Sequence, residues 1–384
     1  MANDDKDHNG DEVDFDKSML EILRSQMETL QEAGLSPGES GDRLCSAFTV
    51  ALRASAPHVA QAWIDTAPEM LAERRRLSRS YERRIQRHWG RALERFYAVA
   101  VVAEEAGSSF DQKRADEFDR EDYHFEALTG IHALACRTAF EVHHLLSGGF
   151  PMGAVARGRT LHELAVTAII IGDHGKPDGE NPDLGERYLR HRGVLNWKDA
   201  QTYQVNAAHN GYTPFSDDEY TAIKDESDAL VRRYGSNFRG PYGWAAGLFR
   251  HGKPKFFELE ELADIAHRRG HCKWASHEVH ADSTGAAHNI FEVQGGRFRA
   301  AGRMDIGLCD PGHMALISLQ QCLLSVLFSP EDIAPSDMLC SMAQQQLVDA
   351  AGDEFLRAHE AVTASYKRGE RIWRPKSPDS GEAV

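Results

Sequence analysis

Four polar side chains interrupt an otherwise apolar run in the segment ARGRTLHEL: Arg157, Arg159, His162 and Glu163. A helix there would put Arg159 and Glu163, four residues apart, on one face, where they can pair. Arg157 and His162, five apart, would lie about 140° from each other around the axis. A guanidinium can stabilise negative charge as it develops, and an imidazole can move a proton near neutrality. The same four groups also suit an intrahelical ion pair beside a core histidine, because structural ion-pair networks use the same residue types as active sites.

A second cluster lies in RRGHCKWASHEVHADSTGAAH, with His271, His277, His280 and His288 and with Ser276, Glu278 and Asp282 between them. His277 and His280 are three apart and would share a helical face, a spacing two ligands of one metal ion can adopt. The stretch has no HExxH, and spacing names no third ligand, so no metal or cofactor is assigned. Ser276 and His280 are instead expected either to hydrogen-bond a neighbouring helix or to supply a general base, with His280 the base.

The third feature is electrostatic. Arg76, Arg79, Arg83, Arg87, Arg91 and Arg95 recur every three or four residues, and Arg74, Arg75 and Arg84 bring the total to nine arginines in 22 positions. Only Glu73, Glu82 and Glu94 stand close by to neutralise them. The chain carries a net charge of −15, so this is a local reversal that calls for a partner: RNA phosphate, an acidic protein surface, or the chain's own acidic start. The overall charge excludes a generic DNA-coating protein, which would be basic throughout. There is no GxxxxGK[ST] phosphate loop, no GxSxG elbow and no GxGxxG after a strand.

The elements that must position these groups are mostly helical. Hydrophobic residues make up 41% of the 384, enough for a true core, which excludes wholesale disorder. Met19, Ile22, Leu23, Met27 and Leu30 mark a helix that ends at Gly34. One or two long helices are expected from about Val59 to Glu105, with Pro68 as a start and Tyr81, Ile85, Trp89, Ala92 and Phe96 as the apolar stripe. Glu126 to Leu146 and Met152 to Gly172 form an αα-hairpin around Ser147-Gly148-Gly149 and Pro151. Further helices are expected at Glu186–Ala208, at Asp217–Tyr234 behind a Ser216/Glu219 capping box, at Leu259–Arg269, from Asp310-Pro311 to Phe328, and from Pro335 to Arg368. Asn237–Lys255, rich in glycine and aromatics, reads as a packed loop or short helix. A single extended pair, Ile290–Val293 with Arg297–Ala300, is expected around Gly295-Gly296. The fold class is all-α, a multi-helix bundle with at most one small β-hairpin.

Domain limits follow from composition: an acidic tail over 1–17, an N-terminal helical region with the arginine-rich helix over 18–115, a helical domain over 120–369, and a loose C-terminal tail over 370–384. The first sixteen residues carry seven acids and one lysine, which does not suit a secretory signal. No apolar run approaches the roughly 20 residues of a bilayer span. Six scattered cysteines without a CxxC pair suit reduced thiols and a cytoplasmic location.

Several blocks together resemble a known family. HHLLSGGFPMGAVARGRTLHELAV is similar to the helix–Gly–helix core of a bacterial domain of unknown function, DUF5677, with its G…A…R…E pattern on Gly149, Ala154 or Ala156, Arg157 or Arg159, and Glu163. ERYLRHR, YGSNFRGPYGWAAGL, FFELEELA and KWASHEVHADSTG follow in the family's order, with Ser276 and His280 on its Ser and His. The resemblance covers about residues 120 to 330 and implies a helical fold without a settled activity. The chain is also similar to the wider group of HEPN helical domains. Many of these are metal-independent ribonucleases of toxins and phage-defence systems with an Arg-x4–6-His motif, which Arg157 to His162 fits as Arg-x4-His. That resemblance implies assembly across a dimer.

Three functions remain open. One is a non-enzymatic sensor or interaction module, in which Arg159, Glu163, Ser276 and His280 form a buried polar network. Another is a HEPN-like ribonuclease in which His162 or His280 takes the ribose 2′-OH proton, Arg157 or Arg159 steadies the phosphorane, and the arginine stripe holds RNA. The third is a His/Glu metal-dependent hydrolase. RNA or a protein is the expected partner, a homo-oligomer the expected state, and no membrane is involved. All of these depend on two distant helices meeting so that a guanidinium, a carboxylate and an imidazole come together.

Overall fold

A computed structural model describes residues 15–114, 122–280, 283–288, 290–293, 296–299, 301–330 and 332–367. The elements run α1 (Phe15–Glu32), α2 (Pro37–Arg114), α3 (Tyr123–Ser147), α4 (Pro151–His174), α5 (Leu184–Asn206), α6 (Asp217–Tyr234), α7 (Phe256–Leu262), α8 (Arg269–Val279), α9 (Ser283–His288), β1 (Ile290–Val293), β2 (Gly296–Arg299), α10 (Cys309–Leu327) and α11 (Pro335–Lys367). Short 3-10 turns cover Ser236–Arg239, Gly243–Leu248 and Ala266–Arg268. The protein is all-α with one antiparallel hairpin, in which Ile290 faces Arg299 and Val293 faces Gly296. The acidic start and the C-terminal tail from 370 onward lie outside the described residues, apart from the first turn of α1.

The chain divides into two compact units, one up to Arg79 and one from Ser80 onward. In the first, α1 and the early part of α2 leave Leu52, Val59, Trp63 and Met70 exposed. Gly34, at φ +90°, supplies the left-handed residue that ends α1.

In the second unit, α2 supplies the stripe Ile85, Trp89, Phe96, Val99 and Phe110, all buried. These join Leu128, Ile131 and Leu146 of α3, Leu161 and Ile170 of α4, Leu319 and Leu323 of α10 and Phe355 of α11 in one core. Helix α4 packs against α3, α5, α7, α8 and α10. Gly312 on α10 is small because the Phe355 ring occupies the space of its side chain; a Cβ there would lie 2.7 Å from the ring. Several polar groups at this core are partnered. Trp89 Nε1 donates to the Asp305 carbonyl at 2.9 Å, and the Asp305 carboxylate takes Arg84 at 2.9 Å and the Tyr366 hydroxyl at 2.7 Å. No helix among the described residues is long and apolar enough to cross a membrane. The described cysteines are unpaired, with Cys136, Cys309 and Cys322 buried and Cys45 exposed.

Three sequence expectations need correction. Pro68 does not start a helix: α2 runs unbroken through Pro57 and Pro68. A proline inside a helix strips the carbonyl four residues earlier of its donor. Here those carbonyls belong to Arg53 and Ile64, both exposed, where water can take the donor's place. Leu259–Arg269 is not one helix. It breaks at Asp264, at φ 54°, into α7, a 3-10 turn and the start of α8. The second strand begins at Gly296 rather than Arg297, a shift of one residue.

Replacing Trp89 by Ala removes a fully buried ring and its bond to Asp305. It should lower stability by about 3–5 kcal/mol. A urea titration followed by far-UV circular dichroism is expected to show the midpoint fall, with most of it recovered in Trp89→Phe.

Candidate functional site

The expected convergence is present. Arg159, on the third turn of α4, donates through Nε to Glu163 Oε1 at 2.9 Å and through Nη1 to Ser276 Oγ at 2.9 Å. The same Nη1 lies 3.5 Å from His280 Nε2, which accepts only in the tautomer that leaves Nε2 unprotonated. Ser276 lies in the last turn of α8, and His280 is its C-cap, with the backbone N–H of His280 returning to the Ser276 carbonyl at 3.0 Å. The α4–α8 seam therefore places a guanidinium, a carboxylate, a hydroxyl and an imidazole together. The cluster is neither sealed nor fully open: the Arg159 side chain is 24% exposed and Glu163 39%, and His280 is exposed.

The other two residues of the helix point elsewhere. Arg157 turns to α3, where it pairs with the Glu141 carboxylate and lies 3.4 Å from Thr138 Oγ1. His162 is fully buried, and its Nε2 lies 3.0 Å from Glu260 Oε1 of α7. Glu260 is itself 2% exposed and also takes Arg269 Nε at 3.0 Å. Burial holds the His162 imidazole below its ordinary pKa, against the pull of the Glu260 carboxylate. His162 is thus a core histidine without access to a substrate. Arg157 and His162, the Arg-x4-His pair, do not meet.

Sequence reasoning missed Glu260 and Arg269, which tie α4 to α7 and α8. The signal was present: Glu260 falls one turn after Phe256 and beside Leu259, on the apolar stripe of FFELEEL, where an acid must have a partner. Tyr242 was also missed. Burial raises its pKa, and Glu163 and Arg159 lie close enough to act on it. In the histidine-rich stretch the side chains of His271, Glu278, Asp282 and His288 fall outside the described residues. Among the described residues no group of three or more His, Cys, Asp or Glu is placed to hold a metal ion.

The arginines of α2 separate by environment. Arg84 goes inward to Asp305, and Arg76 pairs with Glu73 at 2.7 Å. Arg95 lies 3.7 Å from Glu354. Arg79, Arg83, Arg87 and Arg91 are exposed and make no ion pair among the described residues.

Residues 125–297 match the model of DUF5677, described as a family of unknown function. The matched stretch runs from α3 to the hairpin. It holds Arg159, Glu163, Ser276 and His280 and leaves out the arginines of α2 and helices α10 and α11. No curated protein and no solved structure matches the chain.

Five histidines of the core, His124, His132, His143, His162 and His191, have pKa values lowered chiefly by burial, with His132 pushed down to about 4. The folded state keeps them neutral, so the unfolded chain binds more protons once pH falls below about 6.5. Their contribution is complete above that value and is lost as pH falls through it towards the folded-state values. Thermal melting should therefore drop in midpoint from about pH 7.5 to about pH 5, and His132→Asn should flatten that dependence.

Proposed function

Taking residues 125–297 as a member of the DUF5677 family, we propose that the protein is a non-enzymatic helical interaction module. The Arg159 network fixes its α4–α8 seam, and the exposed arginines of α2 meet an acidic partner. The observation that carries this reading is that Arg159 turns its Nε and Nη1 to its own chain: Nε to Glu163, Nη1 to Ser276 and His280. A group engaged in this way holds two helices together, as satisfied polar networks commonly do. The parallel tie His162–Glu260–Arg269, deeper in the same seam, supports the same role. A cytoplasmic location and a homo-oligomeric state belong to this proposal.

A second reading, a HEPN-like metal-independent ribonuclease of a toxin or phage-defence system, keeps one specific support. His280 is exposed beside a guanidinium that is 24% exposed, so a phosphodiester could reach both. In that reading His280 is the base and Arg159 the electrostatic partner; His162 and Arg157 take no part.

Purified protein, its Arg159→Gln and Ser276→Ala variants and His280→Ala separate the two. The module reading expects no cleavage of single-stranded RNA by the wild-type protein and a melting midpoint several degrees lower in Arg159→Gln and Ser276→Ala, in keeping with about 1–3 kcal/mol for a stranded polar partner. RNA cleavage by the wild type, abolished in His280→Ala at unchanged melting temperature, would overturn it in favour of the ribonuclease.

A further inference from the structure

A cavity of about 530 Å³ opens between the turn at 236–243 and the loop that enters α7, and neither the family match nor the seam described above gives it a role. We propose that it binds a small organic anion carrying a planar ring. The inference goes beyond the interaction-module reading and does not rest on it.

Its chemistry is set by six residues. Tyr242 and Phe256 present two rings with centroids 6.0 Å apart and planes at 35°, a wall suited to a flat apolar group. Arg239, Lys253 and Lys255 supply three cations, and Asn237 an amide that can donate or accept. No carboxylate lines the cavity, although the chain has 59 acidic residues against 44 Lys and Arg. Two acids that contact its lining residues are already engaged. Asp228 holds Arg239 at 2.8 Å, and Glu258 takes His251 and the backbone N–H of Lys255, both at 2.8 Å. That leaves two exposed lysine ammonium groups to meet an incoming anion, Lys255 in the field of Glu258 and Lys253 clear of it.

The walls are fixed before any ligand arrives. Gly252, at φ +67°, brings the loop so close to Asn237 that a Cβ would lie 2.0 Å from its Nδ2. Pro241 and Pro254 on the rim fix their own φ angles. A volume within the usual range of ligand cavities, one aromatic face and a few convergent polar groups form the general pattern of a small-molecule site. Two point charges at the mouth and two rings behind them ask for a headgroup at one end and a ring at the other. A phosphate monoester and a carboxylate both meet that demand, since lysine binds either as a point charge.

Titration calorimetry on the full-length protein tests this with four probes: phenyl phosphate, benzoate, inorganic phosphate and benzyl alcohol. At least one of the two ring-bearing anions is expected to bind, and to bind at least about tenfold more tightly than either inorganic phosphate or benzyl alcohol. Which of the two binds distinguishes a phosphate ligand from a carboxylate one. The double variant Lys253→Gln/Lys255→Gln, whose changes are on exposed side chains and should leave the melting temperature unchanged, is expected to lose at least about tenfold in affinity. Added salt should weaken the wild-type interaction, because the lysines are exposed. No binding of either ring anion at millimolar concentration would overturn the proposal. So would equal affinity in the double variant, or inorganic phosphate binding as well as phenyl phosphate.

Discussion

Helix α4 is buried on most of its sides, and each polar group it carries has to be met where it emerges. That constraint decides where much of the second unit sits. Charged and hydrogen-bonding groups removed from water without partners cost several kcal/mol. Arg157 is met by α3 through Glu141 and Thr138, His162 by α7 through Glu260, and Arg159 by α8 through Ser276 and His280. The apolar surface between them goes to α3 and α10. Three directions around one helix are thus assigned to three neighbours by three side chains. The apolar packing supplies most of the stability, while these polar ties select which neighbour goes where.

Helix α2 shows the opposite balance along its length. Before Ser80 its apolar residues are largely exposed; from Ile85 onward the same helix supplies a continuous buried stripe. Two prolines survive inside it because they lie in the exposed part, where water can satisfy the carbonyls they strand. The nine arginines straddle the change. Arg84, whose position faces the core, ends on Asp305, and the outward-facing positions Arg83, Arg87 and Arg91 remain in solvent. The same residue type thus serves as a core anchor and as surface charge within one turn, decided only by which side of the helix it occupies.

Much of this was legible in the sequence, because the rules involved are local. The helix–Gly–helix core, the Ser216/Glu219 capping box and the single hairpin follow from periodicity and turn chemistry, and each is present. The meeting of Arg159, Glu163, Ser276 and His280 was reached through residue types and the order of several blocks. What was not legible depends on partners distant in the chain. Whether an arginine on α4 turns to α3 or to α8 is set by what those helices carry at the crossing. Glu260 could have been singled out as an acid on an apolar stripe, but its partner His162 lies 98 residues away. The break at Asp264 is a residue in the left-handed region, and nothing in the periodicity of Leu259–Arg269 marks it.

The Arg-x4-His pair shows why a spacing alone does not make a site. On a helix, five residues turn the chain through about 500°, which leaves the two side chains about 140° apart. They can act on one phosphodiester only where both flanks of the helix face a common opening. Here the flank that holds His162 is closed by α7 and the Phe256 ring, and the flank that holds Arg157 is occupied by α3. Arg159, two residues further on and about 200° from Arg157, faces α8 and retains partial access to solvent. Any chemistry or binding on this helix therefore falls to the Arg159 face. The groups that could share in it come from α8 and its C-cap, with Tyr242 close enough to feel the same guanidinium.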